Sequence, residues 1–260
     1  MNSELRKQLI EALKDQKEIF GDEIFEAVQV KRKTVVEQKP APSSPIKQSI
    51  IKRKIETLEP AIAKKEKEEW QDSQSLVELN KMIFQCTKCA LAAGRNKFVF
   101  GTGSINADVM VIGEGPGADE DKQGEPFVGR AGQLLTDILK AINFTREEIY
   151  IANVVKCRPP GNRTPFPIEM ETCLPYLRKQ VELIKPKVIL CLGLTAAKGL
   201  LNQKDSLGNM RGKIFEFEGA KVMVTYHPAA LLRNPNWKRP TWEDVKLFRK
   251  LYDELNKGSS

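Results

Sequence analysis

The chain is 260 residues long, enough for one or two domains with a sizeable core, and carries a formal net charge of +8 at pH 7. It has no apolar run of the ~18 residues that a membrane helix needs, and the charged N-terminus MNSELRKQLIEALKDQ lacks a signal peptide's apolar stretch, so the expectation is a cytoplasmic protein, taken as a monomer, without a membrane partner. The single histidine, His227, excludes a zinc site built on two histidines, and five cysteines in a cytosolic chain read as a metal or cluster site plus one spare thiol rather than as disulfides.

Residues 1–72 read as an N-terminal extension. Leu5, Leu9, Ile10, Leu13 and Ile19 give Ser3 to Phe20 helical spacing, and EQKPAPSSPIK at 37–47 is a flexible Pro/Ser-rich linker. Charges before Gln71 nearly cancel, so residues 73–260 carry most of the basic excess, which fits a polyanionic partner. From Ser73 the pattern becomes α/β. A helix over 74–85 leads into Cys86; ADVMVIG (107–113) is a buried strand; GRAGQLLTDILKAINF (129–144) is an amphipathic helix. EIYIANVVK (148–156) is a second strand, 168–184 a helix with a kink at Pro175, and KVILCLG (187–193) a third strand followed by a helix from near Thr195. Residues 213–228 read as paired strands across Gly219, and RPTWEDVKLFRKLYDEL as a closing helix with Thr241 as its N-cap. Apolar strands alternating with helices predict a mostly parallel sheet covered on both faces, with ligands at the C-terminal strand ends. Three unusual segments stand at such ends: GEGPGADED, Asn153 to Cys157, and HPAALLRNP.

Cys86 and Cys89 form C-x2-C, and fifteen residues separate Cys157 from Cys173. Two such pairs can close around one tetrahedral ion or one cubane, and four thiolates suit Zn²⁺ or a [4Fe–4S] cluster equally. Cys191, inside the apolar VILCLG, reads as an ordinary packed thiol.

GEGPGADEDKQGEPFVGRAGQLL, NVVKCRPPGNRTP, the cysteine spacing and HPAALLRNP, in that order over about residues 75–255, resemble the family 4 uracil-DNA glycosylases. The resemblance implies a three-layer α/β/α sandwich with a mostly parallel central sheet. It implies release of free uracil from single- or double-stranded DNA, leaving an abasic site, and a [4Fe–4S] cluster on Cys86, Cys89, Cys157 and Cys173. Uracil must be extruded from the stack to be reached. On this reading Phe127 stacks on the flipped base, Asn153 reads O4 and N3–H, and His227 donates to O2 as charge develops there. Glu114, just past a strand, is the first choice for the catalytic carboxylate, with Glu120 shaping the pocket at the uracil C5 edge. Gly113, Gly115 and Gly117 let backbone approach the base closely. Family 1 relatives carry an aspartate where this chain has Gly115, which shifts the expected mechanism toward electrostatic stabilisation of a uracil anion. HPAALLRNP is expected to be the intercalation loop, with Leu231 as the apolar wedge and Arg233 and Arg163 on phosphates. Residues 1–72 lie outside the resemblance and are a candidate contact for DNA or for a replication or repair partner. Two competing readings are a covalent-trapping relative, which needs a second histidine, and a non-catalytic DNA-binding scaffold with a structural metal cluster.

Overall fold

The computed structural model describes residues 67–257. The expected helix at Ser3 to Phe20 and the linker at 37–47 lie outside the described residues. A compact unit begins at Glu68. Its first helix, α1 (Leu76–Ile83), is capped by the Ser75 hydroxyl, which accepts the Glu78 amide at 3.1 Å, and it buries Leu76, Leu79 and Ile83.

Among the described residues, β1 (Thr102–Gly103), β2 (Val109–Gly113), β3 (Tyr150–Asn153), β4 (Val188–Leu192), β5 (Phe215–Phe217) and β6 (Ala220–Thr225) form one sheet in the order β1-β3-β2-β4-β6-β5. The four inner strands run parallel, and β1 and β5 pair antiparallel at the edges. Each inner strand feeds two cores, because successive side chains point to opposite faces. Met110, Ile112, Tyr150, Ala152, Ile189, Cys191, Val222 and Val224 pack on one face with α1, with α4 (Pro167–Ile184) and with α5 (Leu194–Leu201). Val109, Val111, Ile151, Val188, Leu190 and Met223 pack on the other with α3 (Arg130–Ala141) and α8 (Lys238–Lys257). The result is the expected three-layer α/β/α sandwich. The order reverses at β2: the chain passes from β2 to β3 on one side, then to β4 on the other. That reversal opens a crevice beyond the C-terminal ends of β2, β3 and β4.

Three short helices complete the unit: α2 (Ala118–Gln123), α6 (Leu207–Met210) and α7 (Pro228–Arg233). Glu218 and Gly219, with φ of 47° and 84°, make the tight turn between β5 and β6 as the sequence suggests. α4 runs through Pro175 as one 18-residue helix. Thr241 is not the cap of the last helix. α8 starts three residues earlier, at Lys238, and the Thr241 hydroxyl bonds back to the Trp237 carbonyl at 2.8 Å. Pro240 is tolerated there because the first-turn amides have no helical partner in any case. No helix of the described residues is long and apolar enough to cross a membrane.

Candidate active site

The strand ends of β2 and β3 stay paired beyond their formal limits: Val154 N–H reaches Gly113 O at 2.9 Å and Val155 N–H reaches Glu114 O at 3.1 Å. This pairing sets Asn153 beside Gly113, where two side chains converge. A Cβ added to Gly113 would lie 2.6 Å from the Phe127 ring and closer still to Asn153 Oδ1, so only glycine fits between them. Asn153 is 2% exposed, yet its Oδ1 has no hydrogen-bond partner. A buried acceptor left open is unfavourable, and its place beside the Phe127 ring marks it as waiting for a ligand donor.

Phe127 sits in a loop at φ 55°, a left-handed conformation that strains a bulky residue. Two charged side chains of opposite sign hold it there. Arg146 donates to Pro126 O at 3.0 Å and to Phe127 O at 3.2 Å. Glu120 accepts from Val128 N–H at 2.9 Å and Gly129 N–H at 3.0 Å with one oxygen, and from Gly117 N–H at 3.1 Å with the other. Glu120 therefore ties the start of α2 to the loop that presents the ring. Gly132 leaves room for the Phe127 backbone to lie directly on α3.

His227 caps α7: its Nδ1 accepts the Ala229 amide at 3.2 Å, which leaves the proton of a neutral ring on Nε2. Burial first, and the Arg233 guanidinium second, push its pKa down to about 4, so the ring is neutral at physiological pH. Part of the residue remains accessible, and its ring lies 5.5 Å from that of Phe127 at a 31° tilt. Glu114 is half-buried; burial raises its pKa, and a hydrogen bond with the Thr195 side chain at the start of α5 pulls it back. A Cβ on Gly115 would stand 2.6 Å from Val155 Cγ2, so a side chain at this position would have to displace that valine.

Two expected DNA contacts need correction. Leu231 is 1% exposed and lines a small apolar cavity together with Leu134 and Ile138 of α3 and Val245 of α8, so it is not offered to solvent as a wedge would be. HPAALLR forms a helix rather than an open loop, and consecutive helical residues point about 100° apart. Its neighbour Leu232, 40% exposed, is the apolar side chain offered to solvent. Arg163 makes a two-pronged ion pair with buried Glu169 at 2.7 and 2.8 Å and lies over Phe166, so it anchors the start of α4 instead of standing free for phosphate. Arg233 is exposed.

On the opposite face of the sheet the four motif cysteines gather. Burial raises the pKa of the Cys157 thiol and takes that of Cys173 to about 12, and the proximity of the other cysteines adds a smaller push in the same direction. Three of the sulfurs already have donors: Arg95 to Cys157 at 3.2 Å, the Lys156 amide to Cys173 at 3.4 Å and the Tyr176 hydroxyl to Cys86 at 3.3 Å. Cys191 stays apart in β4, fully buried with its pKa pushed to about 12 by burial alone.

Sequence reasoning missed Arg146, Lys156, Trp70 and Leu232. Lys156 is fully buried and donates to Asn153 O at 3.0 Å; a lysine between valines and a cysteine in NVVKC is the signal that could have found it. Arg146, in the polar stretch TREE, carries no such signal.

A family model described as the uracil DNA glycosylase superfamily matches residues 100–253. A type-4 uracil-DNA glycosylase of Pyrobaculum aerophilum is 45% identical over 181 residues, covering 66% of this chain and 92% of the relative. The type-4 uracil-DNA glycosylase of Archaeoglobus fulgidus is 43% identical over 186 residues, covering 68% and 94%. That of Thermotoga maritima is 43% identical over 178 residues, covering 66% and 93%.

The close packing at the strand ends yields a direct test. Gly113→Ala is expected to lower the unfolding free energy by about 1–3 kcal/mol, because a methyl must displace two packed side chains. Urea denaturation reads this, and an unchanged midpoint would show that the strand end has room to spare.

Proposed function

The chain belongs to the uracil-DNA glycosylase superfamily, within its type-4 group, and on that premise we propose how its own residues release uracil from DNA. The enzyme is a DNA-repair hydrolase acting on the N-glycosidic bond. The observation that carries the residue assignment is the open, buried Oδ1 of Asn153 beside the Phe127 ring.

The flipped uracil stacks on Phe127, and Asn153 accepts from its N3–H and donates its amide N–H to O4. As the N1–C1′ bond breaks, its electron pair passes to the uracil ring and the sugar becomes oxocarbenium-like. His227, neutral with its proton on Nε2, donates a hydrogen bond to O2, where the negative charge collects. The Glu114 carboxylate supports the positive sugar and orients the water whose oxygen bonds to C1′; the water's proton leaves to this carboxylate or to solvent. With a glycine at position 115, no second carboxylate arises from that turn, so stabilisation of the uracil anion carries much of the rate. Glu120 and Arg146 act on the reaction through Phe127, whose backbone they fix. Leu232 fills the gap left by the flipped base, and Arg233 meets phosphate.

Cys86, Cys89, Cys157 and Cys173 would hold a [4Fe–4S] cluster. The donor set fits: four cysteines gathered in or against one core, with a guanidinium, an amide and a phenol already directed at three of their sulfurs. Among the described residues no three His, Cys, Asp or Glu side chains are drawn together as tightly as a single ion requires. A cubane, which bonds each thiolate to a different iron, makes no such demand. The cluster would brace the structure around Cys157 and the start of α4.

Single-turnover release from U- and C-containing oligonucleotides tests the base reading. Each mismatched polar contact to cytosine costs about 1–3 kcal/mol, so together they supply on the order of 10²–10⁴-fold discrimination. Asn153→Ala should lose uracil release without gaining cytosine, whereas Asn153→Asp should release cytosine slowly when its carboxyl is protonated. Near-normal uracil rates in both variants would mean that another group reads the base edge.

His227 sets a pH expectation. Its folded pKa of about 4 lies below the ordinary 6.5, so between these values the unfolded chain binds a proton that the folded one does not, and stability falls as pH drops through that window. Uracil release should therefore show no ionisation step of His227 near 6.5 and should fail only toward pH 4. A step at 6.5 that disappears in His227→Gln would overturn the neutral-donor role.

The two leucines separate cleanly. Leu231→Ala should cost about 2–5 kcal/mol of stability. Leu232→Ala should leave stability within about 0.5 kcal/mol and slow release from duplex DNA more than from single strands. Equal rates on duplex DNA for wild type and Leu232→Ala would remove the wedge assignment.

A further inference from the structure

Among the described residues, two buried side-chain polar atoms have no hydrogen-bond partner: Asn153 Oδ1 and Trp70 Nε1. The first faces the place of the base. The second lies on the cysteine side of the sheet, in the core that holds Cys157 and Cys173. We propose that Trp70 Nε1–H donates a hydrogen bond to a sulfur of the [4Fe–4S] cluster, making Trp70 a cluster-tuning residue contributed by the segment just ahead of α1.

The surroundings of Trp70 support this. It sits in the short 3₁₀ turn Glu69–Asp72, ahead of the stretch that carries the family motifs, and is only 8% exposed, so bulk water does not reach its ring freely. Its ring meets Tyr176 edge-on at 4.7 Å, and the Tyr176 hydroxyl donates to Cys86 Sγ. Lys88, between Cys86 and Cys89, places its ammonium 5.5 Å from the Trp70 ring and 5.3 Å from the Tyr176 ring, and pairs with Glu68 next to the turn. Lys88 thus fastens the turn to the C-x2-C loop, and the edge-on ring contact fastens it to α4. An indole N–H can only donate, and a buried donor without an acceptor is unfavourable. Thiolate and sulfide sulfurs of a cluster are acceptors, and hydrogen bonds to them stabilise the reduced form, which carries more negative charge.

The inference rests on the cluster reading, and the test separates the two. Full-length protein purified without oxygen is assayed for iron and sulfide; their absence removes the cluster reading and this inference with it. With the cluster present, Trp70→Phe keeps the aromatic contact and deletes only the N–H. Its reduction potential should move to more negative values and its cluster should bleach several-fold faster in air. Tyr176→Phe, which removes the donor to Cys86 Sγ, should shift the potential in the same direction and calibrates the response. A Trp70→Phe cluster with wild-type potential and bleaching rate overturns the proposal, whatever Tyr176→Phe does. A measurement on the unaltered chain covers the case in which the variant loads no cluster. With indole-¹⁵N tryptophan incorporated, the reduced cluster should show a hyperfine coupling to one indole nitrogen, and absence of that coupling also overturns the proposal.

Discussion

The reading pocket depends on a strand end that has no side chain. At Gly113 the last residue of β2 lets the Asn153 amide and the Phe127 ring close on the same point of backbone, leaving no room for one more carbon. Parallel pairing of Gly113 with Asn153 fixes the distance between them, so the acceptor proposed to read the base is positioned by sheet geometry. A rigid support of this kind suits discrimination, because a contact that can shift to suit a wrong base discriminates little.

Phe127 shows how strain is carried at the site. A phenylalanine at φ 55° would relax if free. Here the carbonyls of residues 126 and 127 are held by Arg146 and the amides of 128 and 129 by Glu120, so the loop is gripped from both polarities at once. The other oxygen of the same carboxylate closes the first turn of α2 by accepting the Gly117 amide. Glu120 therefore joins two segments that lie apart in sequence, and the stacking surface comes from their agreement.

The layers of the fold and the location of the site were legible because they follow from periodicity. The apolar strands 107–113, 148–156 and 187–193 could pack only as buried parallel strands, and the motifs at their ends met where such sheets bind ligands. The errors concern what periodicity does not set: which way one side chain faces, where a helix begins and which partner a charge finds. HPAALLRNP contains two prolines and reads as a loop, yet its middle forms a helical turn, and that turn buries Leu231 while exposing Leu232. Thr241 has a cap's residue type, but Pro240 can lie inside a first turn, which moved the true start to Lys238. Arg163 looked free because its partner, Glu169, is six residues away on an element that only the fold brings back. Arg146 was invisible for the same reason: its acceptors are the backbone carbonyls of residues 126 and 127, which carry no sequence identity.

The proposed base-reading site and the cysteines occupy opposite faces of the sheet, and the short run from Asn153 to Cys157 crosses between them. Alternation along β3 turns Asn153 toward the Phe127 side, and the valines after it join the core that holds the cysteines. Lys156 fastens this crossing. Its ammonium bonds to the Asn153 carbonyl and to Gln180 of α4, and Gln180 in turn donates to Phe100 O at 3.0 Å and to the Tyr150 hydroxyl at 3.2 Å. Burial pulls the lysine pKa down to about 8, while the neighbouring Cys173 favours its charge, so it remains mostly protonated at neutral pH. A buried cation is tolerated only with acceptors on hand, and those available belong to the strand end and to the helix that carries Cys173. The end of β3 therefore cannot move without disturbing α4, and whatever fixes the cysteines also fixes the backbone from which Asn153 is proposed to read the base.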